Sequence, residues 1–545
     1  MRRKLLYINL NIMLKHFLSF TLASLVLISC GVKETEKSNT YQTTTQETID
    51  AVYAETQSKM PHIVVPTFPD LTRSIVEYGA KPDGSTLNTE AIQQAINEVS
   101  EAGGGTVVIP EGVWMTGPIE LKSNVRLYAD KSSLIVFSSD YTLYPIIETS
   151  FEGLDTRRCT SPIWAKGAKN IAITGHGVFN GSGQDWRPLK RSKVTASQWN
   201  AKVAAGGVLS DDEKTWYPTE EAKYAHTLCE DQNVPSLVSS EEEWTKIHSF
   251  LRPVMLSFVN CDGVLLEGVT FENSPAWNIH PLMSENIILN NLTVRNPWYS
   301  QNGDGVDVES CKNTVIMNCR FDVGDDAICM KSGKNEDGRR RAIPTENVIV
   351  NNCVVYHGHG GFVVGSEMSG DVRNIHVENC TFIGTDVGLR FKSTRGRGGV
   401  VENITIKRIY MKDIPTDPLL FDLFYGGKAA GEESEEEILA RMQANIPPVT
   451  EETPQFQNIS IENVICAGAK RAMFFNGLPE MKVKNVSLKD VYVSATYGAE
   501  FNQTDGLSMV NTTIVNEVGA PVVMRMVDNV TMENVVDKDG NTIKL

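Results

Sequence analysis

The chain is poor in the groups that would tie it to nucleic acid, to zinc or to a disulfide framework. Its 545 residues hold 51 Lys and Arg against 67 Asp and Glu, a formal charge of −16. Nucleic-acid binders need a basic surface, so no nucleic-acid partner is expected. Past Cys30, the nine cysteines at 159, 229, 261, 311, 319, 329, 353, 380 and 466 contain no Cys-x-x-Cys pair. An odd number at scattered spacing suits neither disulfides nor a zinc site. The first apolar run, residues 17–28, is shorter than the ~20 residues that cross a bilayer. With 41% hydrophobic and 22% charged residues, the balance excludes both a disordered tail protein and a polytopic membrane protein.

What the N-terminus does contain reads as an export signal. Arg2, Arg3, Lys4 and Lys15 precede the apolar run, and Ser29-Cys30 ends it. That end resembles the bacterial lipoprotein cleavage box, so residues 1–29 are expected to be a lipoprotein signal peptide, with lipidation at Cys30. Met13 is an alternative start. Residues 30–62, rich in Thr, Gln, Glu and Lys, are expected to form a flexible tether. A monomer is expected, held in the periplasm or at the outer membrane of a Gram-negative bacterium and touching the membrane through its N-terminal lipid only.

The remainder, residues 63–545, is dominated by a repeat. Segments beginning at Asn286, Asn313, Asn347, Asn374, Asn403, Asn458 and Asn485 share apolar residues at offsets +3, +6 and +8, and usually Asn at +5. An alternating β-branched pattern, a polar break and a second short strand describe one coil of a parallel β-helix, an all-β solenoid. Asn at +5 suits a tight bend, where it tolerates left-handed geometry and can hydrogen-bond to its copies in neighbouring coils. Cys at +6 then serves as a small buried apolar residue. A solenoid needs caps, and residues 88–102 place Ala91, Ile92, Ala95, Ile96 and Val99 on one stripe. They predict a short N-terminal capping helix with Asn88 or Thr89 as N-cap and Gly103 as C-cap, followed by a first strand at 106–110. Three polar interruptions, near 183–250, 332–345 and 426–456, are long enough to wall a groove.

Asp304, Asp307, Asp325 and Asp326 fall in adjacent coils, at a spacing that should stack them on one face. Crowded carboxylates raise one another's pKa, so that one stays protonated while others act as bases. An Asp ladder and a calcium site remain open alternatives. His359 follows Asp326 by 33 residues, and Arg390 and Lys392 follow His359 by 31 and 33, which suggests one coil each. Residues 390–398 hold four cations and no acid, a strip suited to an anionic ligand. Tyr425, 33 residues past Lys392, and Asn278 and His280, one coil before Asp304, are further groove candidates.

At these residues the chain resembles glycoside hydrolase family 28, the polygalacturonases and related pectin hydrolases. Their motifs Asn-Thr-Asp, Asp-Asp, Gly-His-Gly and Arg-Ile-Lys appear here in order as 302–304, 325–326, 358–360 and 390–392, with Gly at 303 and Phe at 391. The resemblance runs from about residue 75 through the Asn458 coil. It implies a right-handed, single-stranded parallel β-helix and hydrolysis of α-1,4-galacturonide bonds in pectin with inversion. By analogy, Asp325 is the general acid, Asp304 and Asp326 are the bases that activate water, and His359 tunes the acid. Asn302, Arg390, Lys392 and Tyr425 would bind substrate. No metal or organic cofactor is implied. Segments 365–370 and 331–341 look like the bacterial exo-acting branch. A rhamnogalacturonan hydrolase of the same family, a calcium-dependent pectate lyase and a non-catalytic carbohydrate-binding β-helix are the rival expectations.

Overall fold

The computed structural model describes residues 43–231, 233–425 and 446–544. The proposed signal peptide, Cys30 and residues 426–445 of the third interruption lie outside them.

The repeat builds a right-handed parallel β-helix whose strands stack coil on coil. One stack, the floor of everything that follows, runs through Ile163–Lys166, Leu256–Val259, Ile279–Leu282, Val306–Glu309, Asp326–Lys331, Gly360–Gly365, Val387–Lys392 and Leu419–Asp422. The residues at +3, +6 and +8 face inward. Ile316, Cys319 and Phe321 are buried, as are Val350, Cys353 and Val355 one coil later. A bend between stacks requires positive φ, and the repeat supplies asparagine at two places. Asn286, Asn313, Asn347 and Asn374, at offset 0, and Asn291, Asn318, Asn352 and Asn379, at +5, all have φ between 51° and 58°. Their amides bridge coils, as Asn352 Nδ2 does in donating to Asn318 Oδ1 at 2.7 Å. The left-handed role expected at +5 is therefore shared by the leading asparagine.

The capping helix is Thr89–Glu101, with Ile92, Ala95, Ile96 and Val99 fully buried. Asn88 stands at its N-cap, but its side chain is engaged elsewhere, accepting from Lys81 N at 2.7 Å. The strand at Gly105–Ile109 is not the first, because Thr72–Ser74 pairs with it from outside.

The tether expected over 30–62 is corrected from residue 43 onward. Gln46–Thr56 is a helix with a Thr45–Thr48 capping box. Its Ile49, Val52 and Tyr53, with Met60 and Ile63, pack on Ala172, Leu265, Ile288 and Val315 of the solenoid's outer face. Glu55 accepts from Asn351 and Asn379 at 3.1 and 3.0 Å. The polar composition hid a buried stripe at i, i+3, i+4 and i+7.

The first interruption folds as a small α/β module. Its strands Leu189–Lys190, Val208–Leu209 and Thr215–Tyr217 enclose a cluster of Leu189, Trp199 and Trp216. The second forms the helix Asn335–Arg341. An antiparallel hairpin, Ile146–Phe151 with Leu154–Cys159, was not foreseen, because it breaks no visible repeat.

Candidate active site

The acids assemble where floor strands begin. Gly305 N donates to the Asp326 carbonyl at 2.9 Å, and Val306 pairs with Ile328, so Asp304 and Asp326 stack one coil apart. His359 N donates to the Asp325 carbonyl at 2.9 Å, which makes those two the next stacked pair. The Asp304–Asp326 column follows its 22-residue spacing, but His359, counted from Asp326, lies in register with Asp325 instead. A carboxylate oxygen from each of Asp304, Asp325 and Asp326 lies within 4.8 Å of the others.

The cations do not extend these columns. Gly360 pairs with Val387, whereas Arg390 and Lys392 pair with Val363 and Gly365, three and five positions further along the strand. Their long side chains reach back instead. Arg390 Nη1 lies 3.1 Å from Asp326 Oδ1, and Lys392 Nζ lies 2.7 Å from Oδ2. Both cations thus clamp a carboxylate that is 1% exposed. Tyr425 likewise sits three residues beyond Asp422, the register partner of Lys392, yet its ring comes within 5.0 Å of the Lys392 ammonium.

The electrostatics divide the three acids. Burial, then the charges of Asp307 and Asp325, push Asp304 well above the usual carboxylate range. Burial would do the same to Asp325, but the His359 imidazole 3.1 Å away, with Lys392 and Arg390, outweighs it and holds Asp325 below that range. Lys392 and Arg390 lower Asp326 in the same way. The Asp325 carboxylate in turn raises His359. Burial and charge thus favour the proton on Asp304 over Asp325 and Asp326, and favour the charged form of His359. This distribution is the reverse of a resting general acid at Asp325. Asp304 Oδ1 is buried without a hydrogen-bond partner.

Asn302 joins the site through its amide. Its Oδ1 accepts from Arg252 Nη2 at 3.0 Å, and its Nδ2 donates to Glu152 Oε1 at 3.3 Å. Two expected groove residues are corrected. Asn278 is fully buried, with its Nδ2 turned to the Phe271 carbonyl at 3.4 Å. His280 is held 2.8 Å from Glu309 and borders a separate 790 Å³ cavity that contains none of the three acids. In the coil before the acids, Trp277 is the register partner of Asp304, and Asn278 and His280 belong to other columns with structural partners.

Sequence reasoning also missed part of the site. Lys331 sits 2.8 Å from Glu367 and 3.6 Å from Asp307, so Asp307 links this buried pair to the acid cluster, where it also raises Asp304. Lys334 joins three walls: its N donates to the Gly153 carbonyl at 2.9 Å, its Nζ lies 2.5 Å from Asp231, and it starts the 335–341 helix. The interruptions pointed toward two of these walls, but nothing signalled the hairpin.

These groups line two adjoining hollows. The inner one, about 290 Å³, is bounded by Glu152, Asp231, Lys334 and Glu367 and floored by the three acids. The outer one, about 620 Å³, continues from Asn302, Asp325 and Tyr425 past His359 and Arg390 to the 183–250 module. Three carboxylates this close are hard oxygen donors that suit a divalent cation. Two cations, however, already pair with one of those donors, Asp326.

Both motif departures have local reasons. A β-carbon on Gly303 would fall 1.8 Å from Ser300 Oγ, so Ser300 occupies the room a threonine would take. Phe391 points into the core and stacks on Phe421 at 4.4 Å, away from the groove.

Residues 244–439 match the family model "Glycosyl hydrolases family 28", and residues 72–187 match "Rhamnogalacturonase A/epimerase, pectate lyase-like". The chain is 28% identical over 353 residues to a probable polygalacturonase of Vitis vinifera, covering 62% of this chain and 60% of that one. It is 28% identical over 399 residues to an exo-poly-alpha-D-galacturonosidase of Dickeya chrysanthemi, covering 70% and 62%. The chain thus spans about 60% of the length of these curated relatives. Among solved structures it is similar to a hyperthermoactive exopolygalacturonase from Thermotoga maritima, at 29% identity and a TM-score of 0.65, over 90% of this chain and 96% of that one.

Proposed function

From a chain that carries a family 28 glycosyl hydrolase domain, we propose an enzyme that hydrolyses α-1,4-galacturonide bonds of pectin from a chain end. The observation that carries the reading is the three-carboxylate floor with His359, Arg390 and Lys392, set in a groove whose inner end is walled at Lys334. A sugar chain entering such a groove must do so by its terminus. The names of the Dickeya and Thermotoga relatives support the same choice.

In this reading the acidic proton belongs to the Asp325–His359 pair, whose coupled titration lets it move to Asp325 when the leaving oxygen approaches. Asp304 and Asp326 orient the attacking water. Arg390, Lys392 and Tyr425 face the sugar carboxylate. Inversion is the expected stereochemical outcome, with water placed between carboxyl groups that are commonly about 6.5–9.5 Å apart in such enzymes, and retention is the alternative. NMR of the anomer first formed distinguishes the two.

Incubation of polygalacturonate with EDTA, following reducing ends and ultraviolet absorbance together, tests the chemistry. Reducing ends without absorbance, and mono- or digalacturonate from the first minutes, are expected. EDTA-sensitive absorbance would mean a lyase. Rhamnogalacturonan is run in parallel, because the match over 72–187 favours that polymer as the alternative substrate. Export and lipid attachment at Cys30 complete the proposal. Loss of labelled palmitate incorporation in Cys30→Ser is the expected result.

A further inference from the structure

The outer hollow contains groups that the proposed chemistry does not use. Lys190 and Lys193, from the 183–250 module, line it opposite Arg390. Among the described residues neither ammonium has an ion pair, on a chain with a formal charge of −16. Lys190 lies on the strand Leu189–Lys190, which pairs with Thr215–Tyr217, and Lys193 ends the turn Arg191–Lys193 directly after it. Both stems are therefore fixed to the module rather than to a free loop. Trp298 completes the wall with 57% of its surface exposed. Its neighbour Tyr299 packs against the Leu189–Trp199–Trp216 cluster and so holds the module beside the groove. An exposed indole this large, next to two unpaired cations, is unusual for a surface with nothing to bind.

We infer that Lys190, Lys193 and Trp298 form a distal subsite for an acidic oligosaccharide. The two ammonium groups receive the free carboxylate of a uronate unit beyond the cleaved bond, and the indole stacks on a sugar face. The inference rests on the exo reading above: if the inner hollow is closed and takes the terminal unit, the rest of the chain lies in the outer hollow, whichever polymer end enters. Arg390 and Lys392 are already engaged by Asp326. The free positive charge for a second uronate therefore comes from the module. This subsite selects for chain length and against methyl esters, which remove the charge that the lysines read.

The test is a binding measurement, independent of turnover. The full chain carrying Asp325→Asn is titrated calorimetrically with digalacturonate and tetragalacturonate, with and without Lys190→Ala/Lys193→Ala, and separately with Trp298→Ala. The ratio of tetramer to dimer affinity is expected to fall about tenfold or more in the double-lysine variant, the scale of one or two charge-assisted contacts. The fall should vanish for the methyl-esterified tetramer and shrink with added salt. An unchanged ratio, or an equal fall for the esterified tetramer, overturns the subsite. Wild-type protein that cleaves no galacturonide refutes the hydrolase proposal instead, and the titration still judges the subsite by itself.

Discussion

Replacing Lys392 with methionine keeps the buried stem and removes only the ammonium, so it separates the clamp on Asp326 from simple packing. Asp326 would lose a partner at 2.7 Å with only 1% of its side chain open to water, while Arg390 stays at 3.1 Å. Stranding a buried charge altogether costs about 3–5 kcal/mol. One of two charge-assisted hydrogen bonds is worth about 1.5–3 kcal/mol. Because one partner survives, a loss of about 2 kcal/mol at pH 7 is expected. The pH dependence follows from the depressed Asp326 pKa. A depressed carboxylate contributes stability that is fully present above its unfolded value, near 3.8, and is lost as pH falls through the folded value. In the variant Asp326 takes up its proton at higher pH, so its contribution disappears sooner. Wild type and variant should therefore differ in urea midpoint at pH 7 and converge well below pH 3.8. The variant's kcat should fall along with kcat/KM, because the carboxylate that orients water has lost its support. A midpoint gap that persists unchanged in acid would refute the charge argument. A pure KM effect confined to acidic substrates would show that Lys392 reads the sugar and not Asp326.

Asp325→Asn should lower kcat about 10²–10⁴-fold, the usual cost of a lost general acid, with the circular dichroism spectrum unchanged. More than a tenth of wild-type rate would exclude Asp325 from that role. His359 is raised by Asp325, so its charge persists above the ordinary value of 6.5 and is lost as pH rises through the folded value. The alkaline limb of the kcat/KM profile should therefore lie above pH 6.5 and disappear in His359→Gln; a limb unmoved by that change would assign it to another group. Gly303→Thr, which restores the family residue, should cost about 1–3 kcal/mol by overpacking against Ser300. Ser300→Gly should recover most of that loss in thermal unfolding, and an unrescued double variant would contradict the steric account.

How far the site can be read from spacing depends on side-chain reach. Aspartate and histidine carry their functional atoms close to the backbone, so counting residues per coil brought Asp304, Asp325, Asp326 and His359 together, although the count set His359 against Asp326 where the register pairs it with Asp325. The same count failed at Arg390 and Lys392, whose strand positions belong to other columns and whose terminal atoms return by length alone. It failed at His280 because that residue is in register with Asp307 rather than Asp304, and Glu309 captures the ring and turns it to structural use. The asparagine ladder and the buried cysteines were legible because several coils repeat them, and repetition separates a rule from an accident. The hairpin at Ile146–Phe151, the Gln46–Thr56 helix and the Lys331–Glu367 pair each occur once. A solenoid advertises what it repeats, and the parts that close its groove are the parts it does not repeat. In the proposed exo reading, closure of the inner hollow rests on single contacts such as Lys334 with Gly153 and Asp231, which no motif in the coils encodes.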